Sequence, residues 1–317
     1  MNKPEAENTI EIDSKGPDGR RIYPLWYQDL LLGMWGEGFL EKKPNAAMIF
    51  VKRPRNFLLV TFDNLANVRD RAPSREPWAC KFARDANISH LGVTVNAPNW
   101  FRDPWIIKRF QTLAADGFFD GYDRILFTGT SMGGFAALVF AQLVPAAHVA
   151  AFNPQSTLDP NIVPWETRFD AGRRQDWSGL FADGANGLDL QARTHVFYDP
   201  GFELDFLHAQ RLNGPNVSKY NCRMSGHKSA LFLNRMGTLP DIMRHMMFDS
   251  LNETQFYQYY RSRRKLYWWR NILREYYGQS NRAQMVETLM AGFTANLIRK
   301  ENQIENLEDQ LEGLEDD

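Results

Sequence analysis

The chain has 317 residues, 44% of them hydrophobic, and a formal net charge of −1. That is too apolar for a disordered chain, and long enough for one core domain of roughly 250 residues plus an extension. Near-neutral charge excludes a general nucleic-acid binder, so electrostatic targeting has to come from a local patch. The two cysteines, Cys80 and Cys222, do not make a disulfide framework or a ligand cluster. No metal or cofactor fingerprint appears, and none is expected.

Residues 1–20 read as a loose polar arm without the apolar core of a signal peptide. No stretch reaches the length of a membrane span, so a cytoplasmic protein is expected. From about residue 45, short apolar runs alternate with helix-like stretches. The runs are Ala47–Val51, Phe57–Phe62, Ile88–Val95, Arg124–Thr128, His148–Phe152 and Thr194–Tyr198. Several are too continuous for half-exposed strands, which fits strands buried on both faces of a parallel sheet. Helices are predicted at Trp105–Ala115, Phe135–Leu143 and Leu204–Leu212. This alternation points to an α/β fold with an open, mostly parallel sheet flanked by helices. The domain is expected over 21–250, with a helical extension over 251–317.

About forty residues separate the strand ending at Phe152 from the one at Thr194, too many for an ordinary connection. They read as a cap insertion over about 154–192. Its Trp165 and Arg168 are candidate substrate-binding residues.

Residues 124–134 read Arg-Ile-Leu-Phe-Thr-Gly-Thr-Ser-Met-Gly-Gly. Gly129, Ser131 and Gly133 make G-x-S-x-G, with an apolar strand before it and an Ala-rich helix after it. Strand, sharp turn and helix are what a nucleophile elbow requires. The glycines relieve crowding at a strained turn. Ser131 at the start of a helix leaves the Met132 N–H to stabilise an oxyanion.

On these residues the chain resembles the α/β-hydrolase superfamily of serine hydrolases. It is most similar to a bacterial branch of predicted hydrolases, often without an assigned substrate. The segments that carry the likeness run from about 88 to 233: His90-Leu-Gly-Val, Asn99-Trp-Phe-Arg, Asp116-Gly-Phe-Phe, Ser131-Met-Gly-Gly, Asn153-Pro-Gln-Ser-Thr-Leu-Asp-Pro, Pro164-Trp-Glu and Ser225-Gly-His-Lys-Ser-Ala-Leu. The resemblance implies a chain order of serine, acid, histidine. His227, in a small-residue polar loop after a last strand, is the candidate base. Asp199, at a strand end, and Asp205, at the start of a helix, remain alternative acids, with Glu203 behind them. A second oxyanion donor is expected from the loop after Phe57–Phe62, at the N–H of Phe62 or Asp63. The His-Gly-Gly-Gly loop of many lipases is absent.

The expected function is serine ester or thioester hydrolysis through an acyl-enzyme on Ser131. Substrates would be small-molecule, glycan or lipid esters. Acyl transfer to a saccharide or lipid acceptor is one alternative. A non-catalytic hydrolase-fold scaffold that recruits partners through its tail is another. In that tail, basic residues between Arg261 and Arg274 interleave with aromatics, a pattern suited to an anionic membrane surface or to packing on the core. Farther on, Ala283, Val286, Met290, Phe293, Leu297, Ile304, Leu307, Leu311 and Leu314 keep a three-and-four spacing. A coiled coil over about 283–314 and a homo-oligomer are predicted.

Overall fold

The structure is a computed structural model that describes residues 38–295 apart from 71, 73, 74, 146, 280–283 and 289, together with residue 299. It divides into two compact units between Tyr260 and Arg261. The arm over 1–20, and most of the stretch expected as a coiled coil over 283–314, lie outside the described residues.

The first unit is built on eight strands: β1 (Phe39–Lys43), β2 (Ala46–Val51), β3 (Arg55–Phe62), β4 (Ile88–Val95), β5 (Arg124–Thr130), β6 (His148–Phe152), β7 (Arg193–Tyr198) and β8 (Val217–Asn221). Their order across the sheet is β1-β2-β4-β3-β5-β6-β7-β8. The pairs β1–β2 and β2–β4 are antiparallel, and all later pairs are parallel. The six apolar runs read from the sequence are β2 to β7. Their continuity follows from position, because helices and loops cover both faces of the central strands. The edge strands β1 and β8 carry charged and polar residues instead, as edges exposed to water do.

The helices of this unit are α1 (Leu65–Arg69), α2 (Cys80–Asp85), α3 (Pro104–Ala115), α4 (Met132–Phe140), α5 (Asp170–Arg173), α6 (Glu203–Arg211), α7 (Ser229–Arg235), α8 (Leu239–Met247) and α9 (Glu253–Tyr260). α3 starts cleanly, with Pro104 in its first turn and the Asp103 carboxylate accepting the Trp105 N–H at 2.8 Å. α4 is buried on every side, so its apolar, Ala-rich sequence has no periodicity to show. The core beneath it is aromatic, with Phe62, Phe110 and Phe140 in mutual ring contact.

The first unit extends past the boundary expected at 250. Phe256 and Tyr260 of α9 are buried, and Phe256 packs on Phe197 and Tyr220. Phe256 and Tyr260 fall within the extension expected over 251–317, and burial in the core places them in the first unit instead.

The second unit contains α10 (Tyr267–Gln279). In it Arg263 lies over the Trp269 ring at 5.4 Å and Arg270 over Phe293 at 4.6 Å. Two of the basic residues weighed for a membrane surface or for packing on the core are thus engaged with rings of their own unit. Among the described residues, no helix is long and apolar enough to cross a membrane.

Candidate active site

The sheet reverses its order at β3, and the carboxyl ends of β3 and β5 meet there. In open α/β sheets this is where ligands bind. Ser131 follows β5 with φ 55° and ψ −118°, a left-handed conformation that costs energy for a residue with a Cβ. Its N–H donates to Phe152 O at 2.8 Å, and its carbonyl accepts the Phe135 N–H at 3.0 Å. The turn is possible because of the glycines around it. A Cβ on Gly133 would stand 2.5 Å from Phe62 O and 2.8 Å from Asp63 O. One on Gly129 would collide with Gly133. Close packing therefore brings the loop after β3 against the elbow.

His227 reaches Ser131 from the loop after β8. Its Nε2 is 2.9 Å from Ser131 Oγ. Its Nδ1 is 2.7 Å and 2.9 Å from the two carboxylate oxygens of Asp205. A carboxylate only accepts, so Nδ1 carries the proton and Nε2 is free to take one from the serine hydroxyl. Asp205, in the first turn of α6, is 1% exposed, while the His227 side chain is 24% exposed.

Asp199 does not touch the imidazole. Its Oδ1 accepts the Gly201 N–H and its Oδ2 the Gly226 N–H at 2.8 Å. Of the two carboxylates left open by the sequence, Asp205 is the one on His227, and Asp199 ties down the loop that carries it. The reason is reach: Asp199 directly follows β7 and accepts backbone N–H groups, whereas the first turn of α6 returns Asp205 to the imidazole.

Strand order, elbow geometry and the chain order Ser131, Asp205, His227 decide the fold. This is the α/β-hydrolase fold. No protein-family model matches the chain, and no curated protein matches it. Among solved structures the chain is similar in fold to the capsule O-acetyltransferase of Neisseria meningitidis serogroup A, at 11% identity over 66% of this chain and 93% of that one, TM-score 0.45. It is also similar to an esterase of Pyrobaculum calidifontis, at 13% identity over 72% of this chain and 91% of that one, TM-score 0.44. A further likeness is to Est1E from Butyrivibrio proteoclasticus, at 10% identity over 65% and 98%, TM-score 0.41. At these identities the likeness is one of fold.

Three side chains that the sequence did not single out as site residues complete the surroundings of the elbow. Asn153 donates to Asp205 Oδ2 at 2.9 Å and accepts the Ser229 N–H at 2.7 Å. Gln155, fully buried, donates from Nε2 to Ser131 Oγ at 3.3 Å, and its Oε1 accepts the Trp100 indole N–H at 3.0 Å. Glu166, also fully buried, accepts Nε of Arg168 and Nε2 of His208, each at 3.0 Å. Asn153 and Gln155 follow a fully buried strand at once, a local signal that their polar groups need partners.

The cap residues behave differently from the expectation. Arg168 donates to Asp205 Oδ1 at 2.8 Å as well as to Glu166. Trp165 lies against the His208 ring at 4.6 Å. Neither lines the cavity at Ser131, because buried carboxylates and a buried imidazole claim both side chains. Burial alone would raise Glu166, but hydrogen bonds from His208 and Arg168 bring it down to about 2. His208 is pushed down by burial, against the pull of Glu166. It is neutral, since its Nδ1 accepts the Ser156 N–H at 3.1 Å.

The oxyanion donors also need revision. Phe62 is held inside the ladder, in register with Val93 and Gly129, and the Asp63 N–H donates to Val93 O at 3.2 Å. The Asp63 carboxylate is buried against Arg75, and burial raises it to about 6 despite that charge. One residue beyond the turn, the Asn64 side chain takes the N–H groups of Ala66 and Asn67. The Leu65 N–H, in the first turn of α1, has no hydrogen bond among the described residues. The Met132 N–H, at the first turn of α4, is in the same condition.

Ser131 and His227 open into a cavity of about 940 Å³. Its walls include Leu65, Trp78, Phe82, Leu231, Pro240 and Met243, so the space beside the nucleophile is mostly apolar.

Proposed function

We propose that the protein is a serine acyl hydrolase for carboxylic esters or thioesters that carry an extended apolar acyl group. The observation that carries this reading is the 2.9 Å contact between Ser131 Oγ and His227 Nε2, on a positive-φ elbow that opens into the apolar cavity.

The acyl chain lies in the cavity and its carbonyl carbon meets Ser131 Oγ. His227 takes the serine proton as the C–O bond forms, and Asp205 holds the imidazole in the right tautomer and balances the imidazolium. The N–H groups of Met132 and Leu65 receive the oxyanion, so the second donor is Leu65 in place of Phe62 or Asp63. Collapse of the tetrahedral adduct breaks the bond to the leaving alcohol or thiol, which takes the proton from His227. Water, deprotonated by His227, then attacks the acyl-enzyme and the carboxylic acid leaves. An alcohol in place of water would give transfer to an acceptor.

The test is labelling of purified protein by a fluorophosphonate, beside Ser131→Ala and His227→Ala, followed by p-nitrophenyl esters of rising chain length. Labelling that needs both residues, with turnover improving from acetate to longer chains, is expected. Well-folded protein that neither labels nor turns over any ester would overturn the reading in favour of a non-catalytic scaffold. An ester product formed on adding an alcohol would mark the transferase alternative.

A further inference from the structure

At the opposite end of the sheet from Ser131, three side chains converge. His148 opens β6, His195 lies in β7, and Asp249 stands just past the end of α8. A donor atom from each lies within 4.8 Å of those from the other two. His148 is in register with Leu126, five residues before Ser131. At about 3.3 Å per residue, that places the cluster roughly 15 Å from the nucleophile along the sheet.

The hydrogen bonds around His195 determine its tautomer. Its Nδ1 is 3.2 Å from the Tyr220 hydroxyl, which donates its proton to Leu251 O at 3.4 Å. With the Tyr220 proton on Leu251 O, His195 carries its N–H on Nδ1 and presents a lone pair at Nε2, the tautomer that ligation through Nε2 requires. Nε2 has no hydrogen-bond partner among the described residues, and neither does Nδ1 of His148. Both rings are more than nine-tenths buried, where an unsatisfied polar atom is costly. Asp249 is steadied by Arg193 Nε on its Oδ1 at 2.9 Å, leaving Oδ2 for another partner.

We propose that His148 Nδ1, His195 Nε2 and Asp249 Oδ2 form a site for a divalent transition-metal ion, zinc above all, with solvent as the fourth ligand. Two imidazoles and one carboxylate are a zinc donor set, and nitrogen ligands disfavour magnesium and calcium. Tyr220 orients one ring and Arg193 the carboxylate, the outer contacts that such sites use. The positive charge of Arg193 lowers the affinity without removing the site. The ion joins the starts of β6 and β7 to the end of α8. Met243 of that helix also walls the cavity at Ser131, so the site braces a wall of the cleft from behind. Nothing in the sequence announces the site, because its three residues are far apart in the chain.

The site is independent of the proposed hydrolysis. Its test is zinc titration by calorimetry of the full chain, stripped with a chelator, and visible absorption after loading with cobalt. The proteins compared are the wild type, His148→Gln, Asp249→Asn and His227→Ala. The Asp249 side chain is 41% exposed, so Asp249→Asn is expected to fold. Wild type is expected to bind a single ion, to show the absorption of tetrahedral cobalt and to melt at higher temperature with zinc. Asp249→Asn and His148→Gln should each weaken zinc at least about ten-fold. His227→Ala should bind like wild type, which sets this site apart from the His227–Asp205 pair. Folded wild type that binds no zinc would overturn the proposal. So would binding that survives in Asp249→Asn and His148→Gln, or that is lost in His227→Ala.

Discussion

Arg168 Nη1 stands 2.8 Å from Asp205 Oδ1, so a residue of the segment between β6 and β7 touches the carboxylate that holds His227. Asp205 thus accepts from three directions: His227, Asn153 and Arg168. Without the guanidinium, Glu166 and Asp205 would face each other with less to separate their charges. Arg168→Gln is expected to lower the second-order rate of fluorophosphonate labelling about ten- to hundred-fold, the scale of a lost charge-assisted hydrogen bond. Arg168→Lys should recover part of it, since one ammonium cannot reproduce the fork. Equal rates for wild type and both variants, with circular dichroism unchanged, would show that Arg168 acts on the cap alone.

Asp205 and Asp199 differ in what they hold, and so in what their loss does. Asp205→Asn leaves the shape but favours the wrong imidazole tautomer. Ester turnover should fall by roughly 10⁴ with little change in melting temperature. Asp199→Ala removes the acceptor of the Gly226 N–H and loosens the His227 loop. A fall of about ten-fold in turnover is expected, with about 1–3 kcal/mol of stability lost to the unsatisfied N–H. If Asp199→Ala proved the more damaging to turnover, the assignment of the acid to Asp205 would be reversed.

The elbow was legible because its constraint is local: Gly129, Ser131 and Gly133 lie within five residues, and their spacing reports a single turn. The central strands were legible because burial on both faces leaves an unbroken apolar run. β1 and β8, with Lys42, Lys43, Ser218 and Lys219 on the sheet edges, carry no such run. The acid was not legible, since Asp199 and Asp205 border one short loop and only the fold aims one of them at His227. The cap was misread for a similar reason. Trp165 and Arg168 look like ligand-binding side chains, but His208 and Asp205, some forty residues on, occupy them. Glu166, two residues before Arg168, was the one local hint of an internal partner.

Gly133 and Gly226 separate steric from conformational demands. A Cβ on Gly133 would press on two backbone carbonyls of the loop after β3, which cannot retreat without opening the elbow. Gly226 has φ +53° and open space around its Cβ direction. Gly226→Ala should cost about 1 kcal/mol, the left-handed penalty alone. Gly133→Ala should cost about 1–3 kcal/mol or more and abolish labelling. Urea denaturation of both, read with the labelling rate, checks this. Normal labelling in Gly133→Ala would refute the close approach.

Acid stability is set in part by buried neutral histidines. Burial, with the charges of Arg53 and Arg84, pushes His90 down to about 3, and His208 is also pushed down. Each folded value lies below the unfolded value of about 6.5. Their contribution is therefore complete above pH 6.5 and is lost as pH falls toward the folded value. Glu166, lowered to about 2, adds a loss below about pH 4.5 for the same reason. Each buried histidine gives a slope of up to about 1.4 kcal/mol per pH unit. Urea midpoints should be level above pH 7 and fall steadily from 6.5 to 4.5. A level midpoint down to pH 5 would mean that these rings protonate in place.

The cavity wall supplies the last prediction, about chain length. Leu231, partly exposed, and Met243, buried in α8, both line the space next to Ser131. Widening either side chain shortens the room for an acyl group without touching His227 or the elbow. Leu231→Trp is expected to leave p-nitrophenyl acetate turnover within about two-fold and to cut kcat/KM for long-chain esters by ten-fold or more, since each excluded methylene is worth about 1 kcal/mol. Leu231 suits the test better than Met243, because a partly exposed residue tolerates enlargement without overpacking the core. An equal loss on short and long esters would mean that the acyl group lies elsewhere, with the leaving group in this cavity. A profile identical to wild type would remove the cavity from substrate binding altogether.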